Sequence, residues 1–279
     1  MRKLLRKLPD ELYISLMYWK HFRRFPNLKD PKTFNEKLQW LKLNNQKPEY
    51  TTMVDKHLVK AYVADMVGQE YIIPTLGVWE TADQIDFDAL PNQFVLKWNH
   101  DSGSVIICKD KSTFDRQAAV EKLSGWQDHN GFWYGREWPY KNVQPRIIAE
   151  QFLEDMDELV EYKLFCFHGE VKMVLVCKGR AHSGERTNDF CDRELNRLPF
   201  TSLNPNSKGD LKVPKELPDL IAFAEKLSAG IPHVRVDTYL ADGKIYFGEL
   251  TFFHNSGFCP FDPPHWDRMV GDWIDISKV

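Results

Sequence analysis

The residues best placed to do chemistry lie near the end of the chain, in Val234-Arg235-Val236-Asp237-Thr238-Tyr239-Leu240 and Phe247-Gly248-Glu249-Leu250-Thr251-Phe252. Both runs alternate as β-strands do, so Arg235, Asp237 and Tyr239 share one face, and Glu249 shares a face with Thr251. The turn Ala241-Asp242-Gly243 decides which faces coincide. A two-residue Asp-Gly loop pairs Ala241 with Lys244 and sets Glu249 opposite Val236, away from Asp237. A three-residue loop with Gly243 left-handed pairs Leu240 with Lys244 and sets Glu249 opposite Arg235, diagonal to Asp237. In that second register two carboxylates and a guanidinium converge. Such carboxylates are hard oxygen ligands of the kind that hold magnesium against a polyphosphate. The competing reading is an Arg–Glu pair on a solvated sheet face.

Other reactive residue types carry less pattern. His100, His182 and His254 match no metal-ligand spacing, and Ser102 lacks the surroundings of a hydrolase nucleophile. The five cysteines contain no C-x-x-C pair and are odd in number. They suggest neither a disulfide framework nor a zinc site, and point to a reducing compartment, with Cys177 and Cys191 as apolar packing. Taken singly, Lys97 reads equally as an edge-strand charge, Glu150 as a strand-end acid, and Lys178 and Arg180 as surface residues.

The elements that must position these groups can be read in order. Residues 1–50 are helical and basic, with Thr33-Phe34-Asn35-Glu36 as a capping box. A helix is expected over 52–67, closed by Gly68, followed by an extended piece at 71–74. Strands at 94–98 and 105–108 form a hairpin with the polar tip Asn99-His100-Asp101-Ser102-Gly103-Ser104. A helix over 112–123, an aperiodic Trp/Gly-rich loop over 125–140 and a strand over 146–153 come next. A hairpin at 159–177, an irregular loop at 181–213, a helix at 214–229 and the chemical hairpin complete an α+β pattern.

Composition narrows the class. The chain has 279 residues, 37 Lys+Arg against 40 Asp+Glu, and 43% apolar residues. That is enough for a large core, and the near-neutral charge disfavours a duplex nucleic-acid binder. No apolar run is long enough to span a bilayer, and the basic start reads as no signal peptide, so cytoplasmic residence is expected.

In order along residues 52–260, the sequence resembles the ATP-grasp superfamily. Asp55-Lys56 stands where that family opens its nucleotide unit, and Tyr71-Ile72-Ile73-Pro74 matches its x-x-Pro strand. Lys97 and Ser102-Gly103-Ser104 match its strand lysine and phosphate loop. Glu150-Gln151-Phe152-Leu153 matches the hinge that receives adenine, and Glu161 the acid that holds ribose. Arg235-x-Asp237 and Glu249-x-Thr251 match its closing motif, with Thr251 in place of the usual metal-binding asparagine. A weaker threonine oxygen, Asn255 reaching back, or a single tightly held magnesium would each accommodate that departure. Pro31-Lys32-Thr33-Phe34-Asn35-Glu36-Lys37-Leu38 and Phe247-Gly248-Glu249-Leu250-Thr251-Phe252 resemble the TupA-like branch, linked to teichuronopeptide and other surface-polysaccharide synthesis.

The resemblance implies an ATP-grasp α+β fold of two subdomains gripping ATP: a helical segment (1–50), a lid (51–148) and a larger unit with hinge and metal hairpin (149–279). It implies ATP and Mg2+ as cofactors, held by Lys56, Lys97, Ser102, Gly103, Ser104, the 150–153 hinge and Glu161, with metal at Asp237, Glu249 and Thr251. Arg235 would stabilise an oxyanion, while Lys178 and Arg180 would hold the γ-phosphate or acceptor carboxylate. The activity implied is carboxylate–amine ligation through an acyl phosphate, joining an amine or amino acid to a uronic-acid sugar. A phosphotransferase and a non-catalytic nucleotide-binding scaffold are the rival readings. The chain leaves little room for a separate acceptor domain, so loops, N-terminal helices or a partner must build that site, with Trp126, Trp133 and Trp138 as stacking platforms. The basic N-terminus reads as helices packed on the main body, or alternatively as a peripheral membrane face using Leu4, Leu5, Leu8 and Leu12.

Overall fold

The computed structural model describes residues 6–153, 160–179 and 186–279. Three helices lead: α1 (Asp10–Phe22), α2 (Phe34–Asn44) and α3 (Glu49–Val54). After α4 (Val59–Val67) come β1 (Thr75–Trp79), β2 (Phe94–Trp98) and β3 (Val105–Cys108), then α5 (Arg116–Trp126), α6 (Gly131–Gly135) and β4 (Ile147–Gln151). The remainder is β5 (Val160–Phe167), β6 (Glu170–Lys178), β7 (Thr187–Cys191), α7 (Leu217–Ser228), β8 (His233–Ala241), β9 (Lys244–Thr251) and α8 (His265–Gly271).

Two antiparallel sheets result, ordered β1-β4-β2-β3 and β7-β6-β5-β8-β9. Each has its own core. Leu96, Trp98, Leu123 and Ile147 anchor the smaller, and Phe165, Val174, Leu220 and Val236 the larger. β4 closes the first sheet, so the expected division at residue 149 falls inside a strand, and the change of sheet comes between Gln151 and Val160.

Several elements differ from expectation for local reasons. The helix expected over 52–67 is two helices, because the Asp55 carboxylate accepts the His57 and Leu58 amides (2.8 and 3.2 Å) and breaks the first while opening the second. Residues 71–74 end a 3-10 turn, and the strand starts only after Pro74, at Thr75. α5 begins at Arg116 because Asp115 caps it, its carboxylate accepting the Ala118 amide. The aperiodic 125–140 stretch folds into α6 and a 3-10 turn over Trp138–Asn142, and the irregular 181–213 region contains β7.

The N-terminal helices are part of the body. Thr33 and Glu36 form the expected capping box, which fixes where α2 begins. Besides Glu36, four polar residues of α2 are buried and satisfied. Asn35 Nδ2 donates to Asp267 Oδ1 (2.8 Å), Lys37 Nζ to the Ile274 carbonyl (2.6 Å) and Gln39 Nε2 to the Gly257 carbonyl (2.6 Å). Lys42 Nζ donates to Gln39 Oε1 and the Gly135 and Ser256 carbonyls at 2.6–2.8 Å. Arg136, fully buried against the Tyr13 ring, donates to the Arg6 and Leu8 carbonyls and ties α1 to the α6 segment. Arg180, His182, Leu4 and Leu5 lie outside the described residues.

The Phe34 ring packs among Phe165, Phe167, His233 and Phe261. Phe34→Ala is expected to lower unfolding stability by about 3–5 kcal/mol in urea denaturation. A loss under about 1 kcal/mol, ordinary for a surface change, would mean α2 is not integral to the core.

Candidate functional site

The chemical hairpin is built by a bulge. Asp242 and Gly243 take left-handed φ values (50° and 71°), so Ala241 pairs with Lys244 across a two-residue turn. Between Thr238↔Phe247 and Asp237↔Glu249 the register slips by one residue, leaving Gly248 over. Glu249 therefore lies directly opposite Asp237, a pairing that neither expected register contained. A Cβ at Gly248 would come within 3.0 Å of the Asp237 carbonyl and 3.2 Å of the Tyr239 ring, so a side chain there would crowd both.

Two adjacent carboxylates on a partly dry face must be neutralised. Arg235 grips Asp237 with both Nε and Nη2 (2.6 and 2.7 Å), and Lys163 Nζ, one strand over, reaches Asp237 Oδ2 at 2.5 Å. Lys56 Nζ stands 3.5 Å from Glu249 Oε2. Burial alone would raise the Glu249 carboxyl, but Lys56, Lys163, Arg235 and the Thr251 hydroxyl pull it down to about 2. Thr251 Oγ1 donates to Glu249 Oε1 (3.0 Å) and accepts from Arg235 (3.1 Å). Arg235 Nη1 donates to His254 Nδ1 at 2.6 Å. Burial, then Arg235 and Lys163, hold that imidazole well below its ordinary range, so it accepts as a neutral ring and orients the guanidinium. Asn255, left-handed at φ 46°, lies beside it, its amide 3.0 Å from His254 Nε2.

The facing wall comes from the first sheet. The break between α3 and α4 lets the Lys56 N–H donate to the Asn99 carbonyl and its Nζ to the Asp101 carbonyl (2.6 Å), which ties it to the 99–104 loop. Lys97 Nζ pairs with Glu150 Oε2 (2.5 Å), and Lys60 Nζ takes the other oxygen at 2.6 Å. Burial pushes the Glu150 carboxyl up, and the two lysines more than reverse this. Glu161 pairs with Arg186 at 2.8 Å and lies 3.4 Å from Lys163.

These groups enclose a cleft of about 450 Å3 lined by Lys56, Lys97, Lys163, Arg186 and Arg235 against Glu161, Asp237 and Glu249. Among the described residues the cleft is thus net cationic, which suits a polyanion. Ser102 and Gly103 line it. Ser104 does not, being buried with its hydroxyl on Asp101. Gln151, Phe152 and Leu153 line a recess of about 620 Å3 with Asp242 and Tyr246 of the hairpin. Lys178 follows the cleft-lining Cys177 on β6, and the alternation turns it to the opposite sheet face.

A family model described as TupA-like ATPgrasp matches residues 36–275. The chain belongs to this family. An α+β mixture of two antiparallel sheets is the fold expected of an ATP-grasp protein. Solved structures similar to this TupA-like chain include the ATP-grasp ligase PsnB complexed with minimal precursor (14% identity, 86% of this chain and 66% of that one, TM-score 0.47). An L-amino acid ligase from Bacillus licheniformis (14%, 89% and 56%, 0.49) and a D-alanine–D-alanine ligase from Bacillus anthracis complexed with ATP (15%, 72% and 55%, 0.41) are others. The chain spans from about half to two-thirds of the length of these structures. None of the curated proteins compared with it is significantly similar. No helix among the described residues is long and apolar enough to cross a membrane.

Lys60, Lys163, Arg186 and Asn188 of the TupA-like site escaped the sequence reading. Lys163 was findable: it lies two residues after Glu161 and so shares its face. Trp126, Trp133 and Trp138 do not line the cleft; Trp133 is stacked by Arg6 and Arg136, and Trp126 packs on the smaller core.

Because the folded Glu249 carboxyl lies below its ordinary 4.5, its ion pairs stabilise the fold fully above that value and are lost as pH falls towards about 2. Glu249→Gln removes this contribution. The stability gap between wild type and variant, followed by denaturant titration, is expected to shrink on acidification across that window. A gap independent of pH would contradict the depressed carboxyl.

Proposed function

We propose that the protein is an ATP-dependent carboxylate–amine ligase that works through an acyl phosphate. The observation that carries this reading is the Asp237–Glu249 pair, gripped by Arg235 at the wall of a net cationic cleft in a TupA-like ATP-grasp chain. Lys56, Lys97 and Lys163 offset the charge of the triphosphate, and the Ser102-Gly103 tip lets backbone amides approach it, Gly103 supplying a left-handed φ of 99°. Adenine occupies the recess beside 151–153, and Glu161 holds the ribose.

Asp237 and Glu249 are adjacent carboxylates, hard oxygen donors that fit magnesium, and the Thr251 hydroxyl stands within hydrogen-bond reach of Glu249. Magnesium supplies Lewis-acid neutralisation of the phosphates when bound. Arg235, fixed by Asp237 and His254, stabilises the oxygen that gains charge when an amine attacks the acyl carbon. Arg186, which lines the cleft, takes the place proposed for Lys178 and stands with Arg180 as cationic partner of the γ-phosphate or acceptor carboxylate.

The acceptor we propose is a uronic-acid sugar of a bacterial surface polysaccharide, on the strength of the family alone. A peripheral membrane contact agrees with α1, where Leu12, Leu16 and Trp19 recur at helical spacing and are 47%, 40% and 44% exposed beside Lys20 and Arg23. Co-sedimentation with anionic vesicles at low salt is expected, and protein left wholly in the supernatant would remove the membrane contact.

Incubation with ATP, magnesium, candidate uronates and a pool of amines, read by product mass, should give an amide together with ADP and phosphate. Asp237→Asn and Glu249→Gln should each cut magnesium-dependent ADP release roughly a hundredfold or more. Near-normal turnover in both would overturn the metal assignment. A phosphorylated product without amine dependence would indicate a phosphotransferase, and nucleotide binding without turnover a scaffold.

A further inference from the structure

Meeting the cleft at Ser102, Arg235, Glu249 and Asn255 is a second chamber of about 280 Å3, walled by Asp101, Glu137 and Tyr140 with Phe253. Its charge is opposite to that of the cleft. Arg235, the one cation among the described residues of its lining, is committed to Asp237 and His254, and Glu249 already faces Lys56 and Arg235, which leaves Asp101 and Glu137 as its acidic groups.

Glu137 has spare acceptor capacity. An ionised carboxylate offers about four lone-pair sites, and among the described residues Glu137 accepts only from the Ser256 hydroxyl. Lys42 lies close by, but its donors go to Gln39, Gly135 and Ser256 rather than to Glu137. The chamber is smaller than the ~300–1,000 Å3 of drug-sized ligand sites, so it suits a molecule of about amino-acid size. An acidic chamber repels a carboxylate and favours a cation.

We propose that this chamber is the amine subsite of the ligase, receiving a protonated primary amine between Glu137 and Asp101. The inference rests on the ligase reading above and adds which co-substrate enters from which side. The cleft delivers the activated acyl group to Arg235 and Glu249, and the chamber delivers the nucleophile to the same two residues. The ammonium gives one proton to the Glu137 carboxylate. The freed lone pair forms the carbon–nitrogen bond, the carbon–oxygen bond to phosphate breaks, and inorganic phosphate leaves with that electron pair and takes up the second amine proton, so that a neutral amide remains. Burial holds the Glu137 carboxyl above its usual range despite Lys42, which suits it to accept a proton.

Ligand-observed NMR on protein loaded with magnesium and a non-hydrolysable ATP analogue tests this, with ethylammonium and ethanolamine as probes and acetate as counter-probe. Both amines should bind and acetate should not. Glu137→Gln should weaken amine binding about tenfold, and Glu137→Asp should restore most of it, while affinity for the analogue stays within about twofold. Wild-type crystals soaked in ethylammonium supply the same answer without a variant, with the probe nitrogen within hydrogen-bond distance of Glu137. Amine binding unaffected by Glu137→Gln, acetate in the chamber, or no amine binding to nucleotide-loaded protein would each overturn the subsite. Failure of the nucleotide analogue itself to bind would instead strike the ligase reading.

Discussion

Asp237 and Glu249 face each other across two hydrogen-bonded strands, and like charges in that position repel unless cations stand beside them. The rest of the cleft follows from meeting that constraint. Lys163 comes from β5, Arg235 from two residues up β8, and Lys56 from the other sheet's side of the cleft. Each of the three is itself held. Arg235 leans on neutral His254, Lys56 is tied to the 99–104 loop, and Lys163 also lies near Glu161. The carboxylate pair thus organises both walls, and it exists because β9 carries one residue more than β8 at Gly248.

The N-terminal segment serves that arrangement indirectly. Asn35, Lys37, Gln39 and Lys42 are polar residues in a nearly fully buried helix, and each is satisfied by carbonyls or a carboxylate of the last 25 residues or by the α6 segment. Desolvating them costs free energy that the hydrogen bonds offset, so their return is positional rather than energetic. Gln39 and Lys42 grip the Ser256–Gly257 backbone, immediately after His254 and Asn255. Gln39 and Lys42, just after the Pro31–Leu38 stretch that resembles the branch, therefore set the seat of a cleft they do not line.

Alternation made the strands of the larger sheet legible, and the capping box announced α2. The carboxylate pairing was legible only as a choice between two registers, because one surplus glycine in Phe247-Gly248-Glu249 looks like any other strand residue until its partner is known. Lys60 and Arg186 were hidden for a related reason: each acts through a long side chain reaching to another element, Lys60 to Glu150 and Arg186 to Glu161. Glu137 lay in a segment without period, where residue type alone assigns no role. Asp55 shows the opposite case, a residue visible in the sequence whose capping of a second helix went unread.

The contacts of α2 also carry a kinetic meaning. Asn35 meets Asp267 across 232 residues of chain, and Lys37 meets Ile274 across 237. Contacts of such separation form late, since loop closure must precede any reward. During synthesis α2 emerges long before α8 and waits for it to complete these contacts. The contacts that hold Asn35 and Lys37 are consequently completed only once the chain as far as Ile274 has been made. A nascent fragment ending before α8 would contain the residues that form the cleft without the Asp267 and Ile274 partners of Asn35 and Lys37.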